Sequence, residues 1–224
     1  MTDWETMWAG GLPRGAAFDG NGASPALVAH LARRAQAGDV GATAASCKAL
    51  VPGAGRAYDA VALARSGYKV VAWDISPTAV MRAQELVAEA PTEVQARVSV
   101  LHRDFFVKVK EEEEFDLVWD CTFLCALPMA SRAAWAKRQH ELLKTGGKLI
   151  SLVFPIFPEV HPKVMSGSGP PFALNVALVR GLLEPLGFVL DESESVFELP
   201  ASEQHLPGKM PDAKTGLLVF IKKE

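Results

Sequence analysis

Cysteine is scarce: the 224 residues hold three, Cys47, Cys121 and Cys125. The odd count and the lack of any zinc-finger or redox spacing exclude a disulfide framework and a cysteine metal motif. All three lie in apolar stretches and read as buried free thiols, which suits a reducing compartment. No excess of positive charge exists either, with 23 Lys and Arg against 26 Asp and Glu and a net charge of -3. Without a basic stripe, a nucleic-acid partner is not expected. No stretch approaches the ~20 apolar residues of a membrane span. The opening MTDWETMWAGG has no basic segment leading into an apolar run, so no secretory signal is read and a cytoplasmic protein is expected. A Gly-Lys-Ser/Thr phosphate loop is absent, and no His, Cys or acidic pair has metal-ligand spacing.

What is present is a balanced globular composition, 49% hydrophobic and 22% charged. With no repeat and no linker, residues 1–224 are expected to form a single domain. The acidic run Glu111–Glu114 reads as a solvated loop. After a Gly- and Trp-rich N-terminal segment, Ser24-Pro25 signals a helix start, predicting a helix over Ala26–Ala37 with Leu27, Val28 and Leu31 on one face. A small-residue loop, Gly38–Ala45, follows. Strands are predicted at Lys48–Pro52, Lys69–Trp73, Arg97–His102, Phe115–Trp119, Lys148–Phe154, Phe188–Val196 and Gly216–Lys222. Helices are predicted between them at Ala57–Arg65, Pro77–Glu89, Ser131–Leu143 and Phe172–Leu186. The strands are continuous apolar runs alternating with helices, the pattern of a parallel sheet covered on both faces. The last two strands are joined by a stretch with Pro200, Pro207 and Pro211, which predicts an antiparallel edge.

Open sheets of this kind bind ligands beyond the carboxyl ends of their strands. Gly53-Ala54-Gly55 follows the first strand and permits a tight turn with close backbone approach. Asp74, followed by Ile75-Ser76, ends the second strand 19 residues past Gly55, an offset at which a carboxylate accepts ribose hydroxyls. Asp104-Phe105-Phe106 follows the third and offers an acceptor and aromatic faces to a purine. Asp120 closes the fourth; a carboxylate there needs a partner, and a ligand ammonium would serve. A Gly turn and three acids at successive strand ends describe a cleft for an adenosine with an amino-acid tail.

Several blocks resemble the thiopurine S-methyltransferase family, and within it the halide/thiol methyltransferase branch. They are Trp4–Trp8, Leu50–Asp59, Val71–Ser76, Phe115–Phe123, Arg132–Ala136 and Gly169–Phe172. The resemblance implies a doubly wound, Rossmann-like α/β methyltransferase sheet of seven strands, the last antiparallel, with helices on both faces. It implies S-adenosylmethionine as cofactor, S-adenosylhomocysteine as product, and a small-molecule acceptor met by a monomer. Residues 1–23 would cover the cofactor. The resemblance also assigns roles: Trp4, Trp8, Gly53, Gly55, Asp74, Ile75, Asp104, Phe105, Phe106 and Asp120 to the cofactor, and Phe18, Phe123, Phe172 and Arg132 to the acceptor. Arg132 is the catalytic candidate, and no metal is implied. Two departures stand out. Ala57 replaces the third glycine of the halide/thiol turn, and Gly11–Phe18 is longer than in relatives, which changes the acceptor side.

The chemistry implied is in-line displacement at a sulfonium methyl by a thiolate, hydrosulfide, halide or related chalcogen anion. Such acceptors need little or no general base. His102, in a strand, reads as structural; His161 lies in the Pro-rich stretch Pro155–Pro171, read as a cover for the acceptor. Two other classes use similar parts. A nicotinamide-dependent oxidoreductase would share the Gly turn and Asp74, but Tyr58 occupies its third glycine position. A non-catalytic nucleoside-binding protein would share all of them.

Overall fold

A computed structural model describes residues 3–38, 46–109 and 114–223. Nearly all of the expected Gly38–Ala45 loop and most of the acidic run lie outside these residues. Seven strands make one mixed sheet. The chain divides into two compact units, Met1–Glu111 and Glu112–Glu224.

The first unit begins with α1 (Trp4–Ala9), which the sequence reading did not anticipate, and α2 (Pro25–Gln36). Then β1 (Lys48–Pro52), α3 (Tyr58–Arg65), β2 (Lys69–Asp74), α4 (Pro77–Ala88), the short α5 (Thr92–Gln95) and β3 (Val98–His102) follow. The strand order is β3-β2-β1, all parallel, with Leu50 opposite Val71 and Asp74 opposite His102. β1 and β2 are buried almost throughout; β2 lies between β1 and β3, and α3 packs on both strands. β3 shows more solvent exposure. In α2 the buried face is Ala26, Leu27, His30 and Leu31; Val28 is exposed, about 130° from the centre of that stripe.

The second unit holds β4 (Phe115–Cys121), α6 (Arg132–Leu142), β5 (Leu143–Ile156), α7 (Pro162–Ser166), α8 (Val176–Leu183), β6 (Phe188–Leu190) and β7 (Lys214–Lys222). Its order is β4-β5-β7-β6. β5 runs parallel to β4, whereas β7 is antiparallel to both β5 and β6, as the proline-rich connection predicts. Trp119, Trp135, Phe154 and Phe220 fill the core of this unit. The α6 helix ends at Leu142, one residue before the expected Leu143, and β5 starts at Leu143 rather than at Lys148, so Gly146 and Gly147 lie inside the strand. Lys222 Nζ donates to the carbonyls of His140 and Leu143, 2.8 and 2.7 Å away, and so satisfies acceptors at that helix end.

Candidate active site

The turn after β1 is built on left-handed backbone: φ is 58° at Gly53, 53° at Gly55 and 61° at Ala57. Ala57 therefore adopts a backbone conformation that glycine accommodates more easily, at a cost of roughly 1–2 kcal/mol. The turn is tied to β2 by Ala54 N donating to Trp73 O at 2.9 Å. Asp74, at the end of β2, is 7% exposed. Its Oδ2 accepts from Gly55 N at 2.8 Å and its Oδ1 from Ser76 N at 2.9 Å. Burial pushes the Asp74 carboxyl up, against these stabilising donors. A carboxylate offers about four acceptor directions, so capacity remains for further donors such as a pair of hydroxyls.

Parallel pairing of β2 with β3 brings the next two loops together, and Arg103 N donates to Asp74 O at 2.8 Å. Ile75 is exposed and its carbonyl is 3.0 Å from His102 Nε2, which gives that histidine a structural partner. Asp104 Oδ1 holds Phe106 N at 2.8 Å. Phe105 is buried, while Phe106 meets it edge-on at 5.2 Å and stays exposed. Exposed Ile75 and Phe106 beside the Asp74 and Asp104 carboxylates offer apolar surface and acceptors of the kind an adenosine could use.

The N-terminal segment is packed onto this edge. Asp3 caps α1, accepting from Thr6 N at 3.1 Å. Glu5 accepts from Ser76 Oγ at 2.5 Å and from Thr78 Oγ1 at 2.6 Å, at the start of α4. Trp8 is buried against the turn: a Cβ on Gly55 would stand 3.2 Å from its Cζ2. Phe18 meets Trp4 and Trp8 edge-on, each at 5.6 Å. Gly55→Ala is expected to lower stability by roughly 1–2 kcal/mol, since it combines positive φ with this contact. An unchanged urea midpoint would contradict the packing described.

In the second unit the fourth-strand acid departs from expectation. Asp120 has no exposed surface, and its partners are protein donors rather than a ligand ammonium. Leu124 N reaches Oδ1 at 3.1 Å; Trp135 Nε1 and Gln139 Nε2 reach Oδ2 at 2.7 and 3.3 Å. Trp135 and Gln139 are four apart on the buried face of α6, so both side chains reach the same carboxylate. Burial pushes the Asp120 carboxyl from 3.8 up to about 6 despite these donors. The native state then holds this proton more tightly than the unfolded chain. Its contribution to stability is present at acid pH and is lost as pH rises from about 4 through 6. Asp120→Asn should remove that dependence, so that the stability of the variant relative to its parent rises across this window in urea titrations.

Arg132 opens α6 and is 4% exposed, yet its Nε has no hydrogen-bond partner and it forms no ion pair among the described residues. Burial lowers its pKa. The guanidinium carbon lies 6.0 Å from the Phe172 ring centroid. Phe172 is fixed by its own N–H, which donates to Cys125 O at 2.7 Å. Cys125 is buried; its Sγ donates to Thr122 O at 3.3 Å, and burial pushes its thiol up, so it serves packing rather than nucleophilic attack. Phe123 is half-buried in the segment between Asp120 and Cys125. His161 caps α7 and stacks on Phe157 at 3.9 Å. Among the described residues there is no cluster able to hold a metal ion, and no helix is long and apolar enough to cross a membrane.

Solved structures of S-adenosylmethionine-dependent methyltransferases share this fold. The glycopeptide N-methyltransferase MtfA complexed with S-adenosylmethionine aligns with a TM-score of 0.66 at 16% identity, over 94% of this chain and 99% of that one. The magnesium protoporphyrin IX methyltransferase ChlM from Synechocystis, with the same molecule bound, gives 0.61 at 16% identity, over 88% and 78%. Residues 1–213 match the thiopurine S-methyltransferase family. A probable thiol methyltransferase 2 of Arabidopsis thaliana is 38% identical over 83% of this chain and 73% of its own length. Thiocyanate methyltransferase 1 of Brassica oleracea is 34% identical over 92% and 80%. A thiopurine S-methyltransferase of Vibrio cholerae is 30% identical over 71% and 72%. The family match and the curated relatives make the chain an S-adenosylmethionine-dependent methyltransferase. Within that class, the chain belongs to the thiopurine S-methyltransferase family.

Proposed function

We propose that the protein methylates a soft anionic nucleophile: a thiolate, hydrosulfide, halide or related chalcogen anion. The observation that carries this reading is Arg132, a buried cation with no ion-pair partner among the described residues, its guanidinium set near an aromatic ring. A buried charge left unpaired is costly, and an incoming anion relieves that cost. The bound cofactor supplies an electrophilic methyl on a sulfonium sulfur. Asp74 accepts from the ribose hydroxyls, Ile75 and Phe106 provide apolar surface to the purine with Phe105 packed behind Phe106, and Asp104 accepts from its amine. Gly53 and Gly55 keep side chains away from the amino-acid tail, and Trp4 and Trp8 offer ring faces to positive charge.

Arg132 orients the acceptor, with Phe123 and Phe172 as apolar neighbours in the same unit, and Phe18 is given to the acceptor by the family resemblance. Displacement is in line, and the protein's share is positioning and exclusion of water. Asp120 acts through the chain: it fixes the segment from Thr122 to Cys125 that carries Phe123 and anchors Phe172. We extend the same proposal to one catalytic domain, covered at the cofactor by residues 1–23 and working as a cytoplasmic monomer.

Two assays test the reading. Calorimetry should show S-adenosylhomocysteine binding and no binding of NADH. Headspace detection of methyl iodide and methanethiol, beside a thiopurine assay, should show turnover with at least one acceptor. Binding of NADH alone, or cofactor binding with no methylation across the panel, would overturn it.

A further inference from the structure

The turn that binds the cofactor contains a charged residue to which the sequence assigns no role. Arg56 sits between Gly55 and Ala57, both left-handed, and is 8% exposed. Its Nε donates to Asp19 Oδ2 at 2.7 Å, with both side chains almost wholly buried. Its Nη2 donates to Leu12 O, and its guanidinium lies over Trp8, 5.4 Å from the ring centroid. Asp19 gathers the rest of the loop: its Oδ1 accepts from Gly15 N at 3.1 Å and from Asn21 N at 2.7 Å. Leu12, Gly15, Asp19 and Asn21 are thereby held to a single residue of the turn after β1.

Stability alone is a weak reason for such a pair, because desolvating two charges offsets most of their attraction. Its geometric consequence is more definite. Phe18 precedes Asp19, and its ring is set edge-on to Trp4 and Trp8. Trp8 in turn rests on Gly55 and under Arg56. The ring assigned to the acceptor and the turn assigned to the cofactor thus share one rigid connection. It runs through a planar group that makes two directed hydrogen bonds and one ring contact.

We propose that Arg56 and Asp19 are a positioning pair. They set Phe18, and with it the placement and size limit of the methyl acceptor, relative to the cofactor turn. This inference rests on the methyltransferase reading above. It implies that breaking the pair impairs use of the acceptor while leaving cofactor affinity nearly intact, a separation that a merely structural role would not produce.

The test compares Asp19→Asn and Arg56→Lys with the unmodified protein. S-adenosylhomocysteine affinity is measured by calorimetry, kcat and KM for an acceptor the unmodified protein turns over, and the thermal midpoint by circular dichroism. Asp19→Asn should reduce acceptor kcat/KM by about tenfold to a hundredfold, as a misplacement of up to about 1 Å does, with cofactor affinity held within about threefold. Arg56→Lys keeps the charge but loses the fork, and should fall between the two. Should Asp19→Asn unfold at the assay temperature, the Arg56→Lys arm decides by the same readouts. Acceptor kinetics within about threefold of the parent in the folded variants, or cofactor affinity falling in step with turnover, would overturn the proposal. An unmodified protein that neither binds S-adenosylhomocysteine nor methylates any acceptor would instead sink the underlying reading.

Discussion

Asp74→Ala is expected to weaken S-adenosylhomocysteine binding by about a hundredfold or more. A hydrogen bond to a charged acceptor is worth roughly 1.5–3 kcal/mol, and two ribose hydroxyls would lose their shared carboxylate. The same substitution removes the acceptor for Gly55 N and Ser76 N, so the turn after β1 also loosens. Asp74→Asn separates these effects. It keeps one acceptor oxygen and much of the shape, so its binding loss should be intermediate and its thermal midpoint nearer the parent's. Burial raises the Asp74 carboxyl, so protonation, and with it loss of cofactor affinity, sets in at a higher pH than for a solvated aspartate. Calorimetric titrations at several pH values check both points. Unaltered affinity in Asp74→Ala would remove Asp74 from the cofactor site.

Strand ends were legible where local chemistry and tertiary demand agree. β1 and β2 are short apolar runs that stop at glycine or aspartate, and the structure stops them at Pro52 and Asp74. Ser76-Pro77 caps α4 as expected, with Ser76 Oγ accepting from Ala79 N at 3.0 Å. Legibility failed where a distant contact overrides a local signal. Gly146-Gly147 looks like a helix stop, yet Gly147 lies in β5, where a Cβ would stand 2.8 Å from Lys144 O and 3.2 Å from Phe115 O. The glycine serves a register shift beside β4, between Phe115 and Leu117, not a cap. The helix expected from Phe172 begins only at Val176, because Phe172 N and Leu174 N are held by Cys125 O and Pro155 O. Asn175 then caps it through Leu178 N at 2.7 Å, a signal the sequence did carry. The strand begun at Phe188 ends at Leu190, where the Asp191 side chain turns the chain by accepting from Ser193 N.

The candidate site divides in the same way. Asp74 and the glycines could be placed from spacing, because their contacts are with backbone a fixed distance along the chain. The partners of Asp120 could not, since Trp135 and Gln139 come from a helix 15 and 19 residues further on. Nor could the Asp19–Arg56 pair, 37 residues apart, which only the packed N-terminal segment creates.

Arg132→Met should cost activity and add stability at once. Losing the buried cation removes the group proposed to receive the acceptor, and kcat/KM for thiolates and halides should fall by about a hundredfold, the effect of truncating one member of a desolvated charge pair. The free protein, however, carries that cation with an unpartnered Nε and no ion pair among the described residues. Exchanging it for an apolar side chain of similar length relieves a desolvation cost, so the urea midpoint should rise. Arg132→Lys keeps the charge without the planar fork and should retain part of the activity. The pH profile of the parent follows from the same site. With no carboxylate paired to Arg132 among the described residues and its cation charged throughout, thiol methylation should climb about tenfold per pH unit below the acceptor's own pKa, whereas iodide methylation stays flat. A thiol profile that levels off well below the acceptor's pKa would show that the protein itself takes the proton. Falling stability in Arg132→Met would show that the cation already has a partner, and would remove the reason to assign it an anion.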